Sequence, residues 1–264
     1  MKHVDIIAND WNLGSDNYYA RTYSGNPLEK IIDDPMWAFP PEVRSMLAEA
    51  VPDLRGKKVL VASSGDNAAV FAFHLMGAIV TSTDIAENQL KNARRIADDH
   101  RWDIEFKQAN SMTLEGVADS EFDLVYTSNG VHVWINDLPA MYSNIRRVLK
   151  PGGRYIMFET HPFIRPFGDE AHGTMIPVRK LYEDLGPFGE VPVMAWRIMD
   201  LLNAMTQSGL TILRMEEFHS SPDCHDCWWY DSIAEGDADG GQKGDWQKNP
   251  FAALPQWIGF STVK

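Results

Sequence analysis

The sequence predicts an α/β fold: a doubly wound, mostly parallel sheet of seven strands, one of them antiparallel, with a cap or insertion. Three observations carry this. Short apolar runs alternate with helix-period segments from about residue 57 to 159, as repeated βαβ units require. A turn of small residues follows the first run, and an acidic residue, Asp84, ends the second about twenty residues later. Two strand-like runs then close the chain after the alternation has stopped, at Leu210 to Met215 and at Pro255 to Val263.

Lys58-Val59-Leu60-Val61-Ala62 reads as the first strand, apolar enough to be buried on both faces. A helix pattern from Ala68 to Met76 follows and Gly77 stops it. Ile79 to Thr83 is the second strand, ending at Asp84. Ala86 to Asp99 is a helix whose Leu90, Ala93, Ile96 and Ala97 share a face. Ile104 to Lys107 and Phe122 to Tyr126 are the third and fourth strands. A helix from Leu138 to Leu149 meets the terminator Lys150-Pro151-Gly152-Gly153, and Arg154 to Glu159 is the fifth strand. Residues 160–194 are rich in Pro and Gly and read as an insertion, and Ala195 to Gln207 as a helix. The whole, 1–264, reads as one domain, with a helical lid region over 1–50 and an irregular region over 218–256.

Composition narrows the function. A formal charge of −13 opposes a polyanionic partner, and no basic cluster exceeds the pairs Arg94-Arg95 and Arg146-Arg147, so no nucleic-acid partner is expected. No apolar window is long enough to span a membrane, and Met1 to Asp5 lacks a signal peptide's apolar region, which predicts a cytoplasmic protein without membrane partners. Cys224 and Cys227 offer no disulfide framework. The segment Cys224-His225-Asp226-Cys227, even with His219, places both imidazoles too near the thiols for finger spacing, so no metal is expected.

In an open α/β sheet, ligands sit outside the carboxyl ends of the strands where the strand order reverses. The first such turn is Ala62-Ser63-Ser64-Gly65-Asp66-Asn67-Ala68. Its small residues let backbone N–H groups approach a ligand, and Gly65 and Asn67 tolerate positive φ. Asp84 is placed to accept both ribose hydroxyls of an adenosine. The G-x-G-x-x-G pattern that cradles a diphosphate is missing, which points away from a dinucleotide and from a nicotinamide-dependent oxidoreductase. A ligand-binding module without turnover remains the other alternative.

Several runs in order then resemble one family. They are Val59 to Asn67, Thr83-Asp84-Ile85-Ala86-Glu87-Asn88-Gln89-Leu90, Ile104 to Met112, Glu121 to Val125, and Arg147 to Arg154. Residues Lys58 to Phe163 resemble the class I S-adenosylmethionine-dependent methyltransferases, which have a Rossmann-like sheet. The likeness is to the branch whose first loop reads Ala-Ser-Gly-Gly-Gly-Gln and whose second strand leads into Asp-Ile-Ser-x-x-Gln-Leu. The resemblance implies S-adenosyl-L-methionine as cofactor and a small-molecule acceptor.

It implies that Ala62, Ser63, Gly65 and Asn67 line the methionine and ribose end of the cofactor, that Asp84 holds the ribose, and that Ile85 flanks the adenine. Asn110 replaces an Asp that accepts the adenine amino group, and Ser111 and Met112 contact the ring. Gln89 lies in the matched motif, and Ser128 and Asn129 stand beside the passage to the acceptor. Val61 departs from the family's acidic residue late in the first strand, and Ser63 and Asn67 stand for loop glycines. Transfer from a sulfonium needs positioning more than a base. His132, after the fourth strand, and His161, after the fifth, are the candidate bases. The aromatic stretch Asn9 to Tyr19 resembles the family's leading helix over the ligand; a helix packed on the outside is the alternative.

Overall fold

The computed structural model describes residues 2–168, 175–219, 246–247 and 250–264. Three helices lead the chain: α1 (His3–Thr22), α2 (Pro27–Asp33) and α3 (Pro41–Ala50). The alternation that follows is β1 (Lys58–Ala62), α4 (Ala68–Leu75), β2 (Ile79–Asp84), α5 (Glu87–His100), β3 (Glu105–Gln108), β4 (Phe122–Thr127), α6 (Leu138–Val148) and β5 (Leu149–Thr160). The chain closes with α7 (Ile198–Gln207), β6 (Thr211–Phe218) and β7 (Trp257–Val263).

One sheet runs β3-β2-β1-β4-β5-β7-β6. The first five strands pair in parallel, and β7 runs antiparallel between β5 and β6. This is the predicted seven-stranded, mostly parallel Rossmann-like sheet. The order reverses between β1 and β4, which opens the crevice at their carboxyl ends.

The period-2 alternation of the strands sorts their side chains between two cores. Val59, Val61, Val80, Leu124, Tyr126 and Ile156 face the helices α1 to α5. Leu60, Ala62, Phe122, Val125, Tyr155 and Met157 face α6 and α7. The strands near the middle of the sheet therefore read as unbroken apolar runs. Among the described residues no helix is long and apolar enough to cross a membrane.

Several predicted boundaries moved, two of them for clear local reasons. The terminator Lys150 to Gly153 does end α6, but it lies inside β5 rather than before it. The register jumps from Phe122↔Leu149 to Leu124↔Arg154, because Pro151 has no N–H for the ladder and Gly152 turns left-handed at φ 75°. A Cβ on Gly153 would stand 2.8 Å from the Lys150 carbonyl oxygen, so only glycine fits that fold-back. Helix α7 starts at Ile198 rather than Ala195, where the Asp200 carboxylate receives the Arg197 amide at 3.0 Å and ties off the first turn. The insertion over 160–194 carries two isolated antiparallel bridges, Phe167↔Val178 and Phe188↔Val193. Cys224 and Cys227 lie outside the described residues.

Candidate functional site

At the carboxyl end of β1, the turn 63–67 holds three residues in the left-handed region: Ser63 (φ 50°), Gly65 (φ 56°) and Asn67 (φ 63°). The winding turns backbone groups toward the crevice and leaves the place of a Gly65 Cβ empty to 4 Å. Asp84, ending the neighbouring β2, is 7% exposed. Its Oδ1 accepts the Ala86 amide at 2.8 Å and its Oδ2 the Gly65 amide at 3.2 Å. The Ile85 amide is a further backbone partner, and a carboxylate's roughly four lone-pair sites still leave room for a ligand. Burial outweighs these backbone bonds and pushes the carboxyl up to about 6.

The turn after β3 joins the same edge, where the Ser63 and Ser111 hydroxyls meet at 2.6 Å. Asn110 folds on itself, its Oδ1 accepting the Met112 amide at 2.9 Å. Ile85 is half-buried beside Asp84, and its carbonyl accepts Gln108 Nε2. Asn129 is half-buried after β4, next to Gly130, whose missing Cβ would also meet nothing. Ser63, Gly65, Asp84, Ile85, Asn110, Ser111 and Asn129 thus all lie at the carboxyl edge of the sheet, at or just after the ends of β1, β2, β3 and β4.

Other predicted residues are set back from it. Ala62 and Met112 are buried in the core on the α6 side. Asn67 is fully buried behind the turn, bonded to Tyr19 and Ser82. Gln89 is buried under α1, where its Oε1 accepts the Ser15 hydroxyl and its Nε2 has no partner.

The two histidines are also embedded. His132 is 4% exposed, with Nδ1 at 2.9 Å from Glu159 Oε2 and Nε2 at 2.8 Å from the Tyr142 hydroxyl. A carboxylate only accepts, so Nδ1 carries the proton. His161 is 1% exposed; its Nδ1 accepts the Phe163 amide and its Nε2 donates to Glu217 Oε1. Burial lowers its pKa more than Glu217 restores it. Neither ring has a nitrogen left to take a proton from a bound molecule without breaking a buried bond. Each ring is thus held at both nitrogens by hydrogen-bonded partners.

Glu159, at the end of β5, escaped the sequence reading, although it repeats the cue of an acidic residue ending an apolar run. Its Oε1 accepts the Gly130 and Thr160 amides, and its Oε2 the Val131 and His132 amides and the His132 ring. Burial alone would raise its carboxyl, but the His132 bond and charge outweigh it and hold it below the ordinary range. This anion shapes the loop after β4.

Helix α1 crosses the crevice. Asn12 bonds the Asn88 amide and side chain, supplying the cap that Ala86 cannot give α5. Trp11 stands edge-on to Trp134, with centroids 5.8 Å apart. Tyr19 and Tyr23 donate to the carbonyls of Gly65 and Asp66. A cavity of about 740 Å³ lies behind α1, between Tyr19, Tyr23, Leu28 and Arg95, and holds none of the predicted site residues. Beside His132, Glu159, Arg165 and Trp196 the open space is about 10 Å³.

Residues 60–157 match the family model described as "Methyltransferase domain". The chain is 31% identical over 142 residues to demethylmenaquinone methyltransferase from Clavibacter sepedonicus, covering 53% of each chain. It is 33% identical over 127 residues to the mitochondrial arginine-hydroxylase NDUFAF5 of Mus musculus, covering 44% of this chain and 33% of that one. It spans about half the length, or less, of these curated relatives. An S-adenosylmethionine-dependent methyltransferase from Mesorhizobium loti superposes with a TM-score of 0.62 at 22% identity, over 88% of this chain and all of that one. At that identity the likeness shows the fold.

Proposed function

Because the chain belongs to the class I S-adenosylmethionine-dependent methyltransferase family, we propose that it transfers a methyl group from S-adenosylmethionine to a small-molecule acceptor. The observation that carries the reading is Asp84: a buried carboxylate at the switch point with acceptor capacity to spare, beside an unfilled glycine turn. That donor-and-acceptor set fits a ribose diol.

In this reading Asp84 accepts the ribose hydroxyls and Ile85 flanks the adenine. Asn110 and the Ser111 and Met112 backbone meet the ring edge, while Ser63 and Gly65 offer backbone groups to the methionine end. Asn67 and Gln89 support these residues from behind. S-adenosylmethionine supplies a methyl carbon already activated by its sulfonium. What remains for the protein is to align an acceptor beside Asn129 and Gly130 and to exclude water. Helix α1 and the Trp11–Trp134 contact close that side.

The formal charge of −13 supports a small acceptor over a nucleic acid. Equilibrium binding of S-adenosylmethionine, followed by transfer of its labelled methyl to a panel of small acceptors, tests the proposal. Binding with labelled product is the expected outcome. Binding with no turnover on any acceptor class would favour a ligand-sensing module instead.

A further inference from the structure

Two of the three left-handed residues in the turn 63–67 are not glycine, so something outside the turn must hold them. For Asn67 the structure shows a buried relay that does so, while the Ser63 hydroxyl meets Ser111. Ser82 on β2 stands 2.9 Å from the Ser64 hydroxyl and 2.7 Å from Asn67 Oδ1. Asn67 Nδ2 donates to the Gly65 carbonyl at 2.8 Å and to the Tyr19 hydroxyl at 2.8 Å. The Tyr19 hydroxyl donates to that same Gly65 carbonyl at 3.3 Å.

Every member but one belongs to the turn or to the strand beside it. The exception is Tyr19, which arrives from α1 across a sequence separation of 48 residues. Its ring stacks on Tyr23, centroids 5.5 Å apart, and the Tyr23 hydroxyl reaches the next carbonyl, that of Asp66, at 2.6 Å. Two consecutive carbonyls of the turn are thus held by the end of α1 and the residue that follows it. Asn12 and Ser15 fasten that helix to the start of α5, and Gly65, whose carbonyl is held, also gives its amide to Asp84.

We propose that Tyr19 is a positioning residue: acting through Asn67 and Gly65 it sets the turn 63–67, so that docking of α1 and cofactor binding form one linked equilibrium. The inference rests on the reading of that turn as the cofactor site. Linkage makes it reciprocal, so whatever loosens α1 weakens the ligand, and the ligand tightens α1.

The test is Tyr19→Phe, which keeps the ring and its stack and removes the hydroxyl. One net hydrogen bond is about 0.5–1.5 kcal/mol, so the Kd for S-adenosylhomocysteine is expected to rise about two- to thirteenfold by calorimetry. In the Asn67→Gly background, which keeps the left-handed backbone, adding Tyr19→Phe should cost less than in the natural chain, because only the direct bond to the Gly65 carbonyl is left to lose. Hydrogen exchange is the second readout. Amides 63–69 should exchange faster in Tyr19→Phe without ligand, and S-adenosylhomocysteine should protect 12–23 in the natural chain but less in the variant.

A variant with a lower Tm but natural Kd and natural exchange over 63–69 would make Tyr19 a packing residue and overturn the proposal. If the natural chain binds no S-adenosylhomocysteine, the cofactor reading fails by itself. The exchange of 63–69 without ligand then still decides whether Tyr19 sets the turn.

Discussion

Replacing Glu159 by Gln asks how much one buried anion does for the loop after β4. The carboxylate is 2% exposed and receives five donors on two oxygens: two amides on Oε1, and two amides and an imidazole on Oε2. An amide has one acceptor oxygen. Its best placement keeps the three Oε2 donors and turns an NH₂ against the amides of Gly130 and Thr160. Two buried N–H groups without acceptors lose about 1–3 kcal/mol each, so Glu159→Gln should destabilise the fold by about 2–6 kcal/mol. Urea denaturation at pH 7 reads this as a fall in midpoint.

The acid limb gives a second reading of the same residue. Glu159 is held below the ordinary 4.5, so its contribution is present above that value and fades as pH falls through the lower folded-state pKa. The variant should lack that part of the natural protein's acid loss. A Glu159→Gln protein within about 0.5 kcal/mol of the natural chain at pH 7, with an unchanged acid limb, would refute the reasoning.

Three further outcomes follow from the same geometry. S-adenosylhomocysteine affinity should be flat above the Asp84 value of about 6 and weaken towards tenfold per pH unit below it, since the ribose requires the carboxylate; calorimetry across pH 4.5–8 checks this. For stability the sign is opposite: the folded pKa lies above 3.8, so burial of Asp84 opposes folding as pH rises through about 6. His132→Gln should lower the urea midpoint, by about 1–3 kcal/mol from the broken Glu159–Tyr142 bridge, while the S-adenosylhomocysteine Kd stays within about twofold. Asn12→Ala should cost about 1 kcal/mol by uncapping α5, read as a lower urea midpoint, with faster amide exchange at 87–90.

What was legible depended on range along the chain. The strands β1, β2 and β4 are apolar runs with breakers at each end, and their bounds agree with the sequence reading to within a residue. The place of Asp84 at the strand end was legible because the helix after it has a strong local period that fixes where the strand must stop. The side-chain direction of Asn67 was not, because its partners, Tyr19 and Ser82, are far away in sequence.

The partners of the histidines were hidden for the same reason: they arrive only when the chain returns with Glu159, or with Glu217 from β6. The terminator Lys150 to Gly153 is expected to lie before the strand because glycine and proline signal a break, and a bulge at the start of a strand uses those same residues.

The central claim is that Asp84 holds the ribose of an S-adenosylmethionine-type ligand. The measurement that tests it most directly is titration calorimetry of Asp84→Ala with S-adenosylhomocysteine at pH 8, beside the natural chain. Two charge-assisted hydrogen bonds, less solvent compensation, should weaken binding by about 2–4 kcal/mol, or about thirtyfold to a thousandfold in Kd. A natural chain that binds tightly and an Asp84→Ala variant that binds equally tightly would contradict the claim.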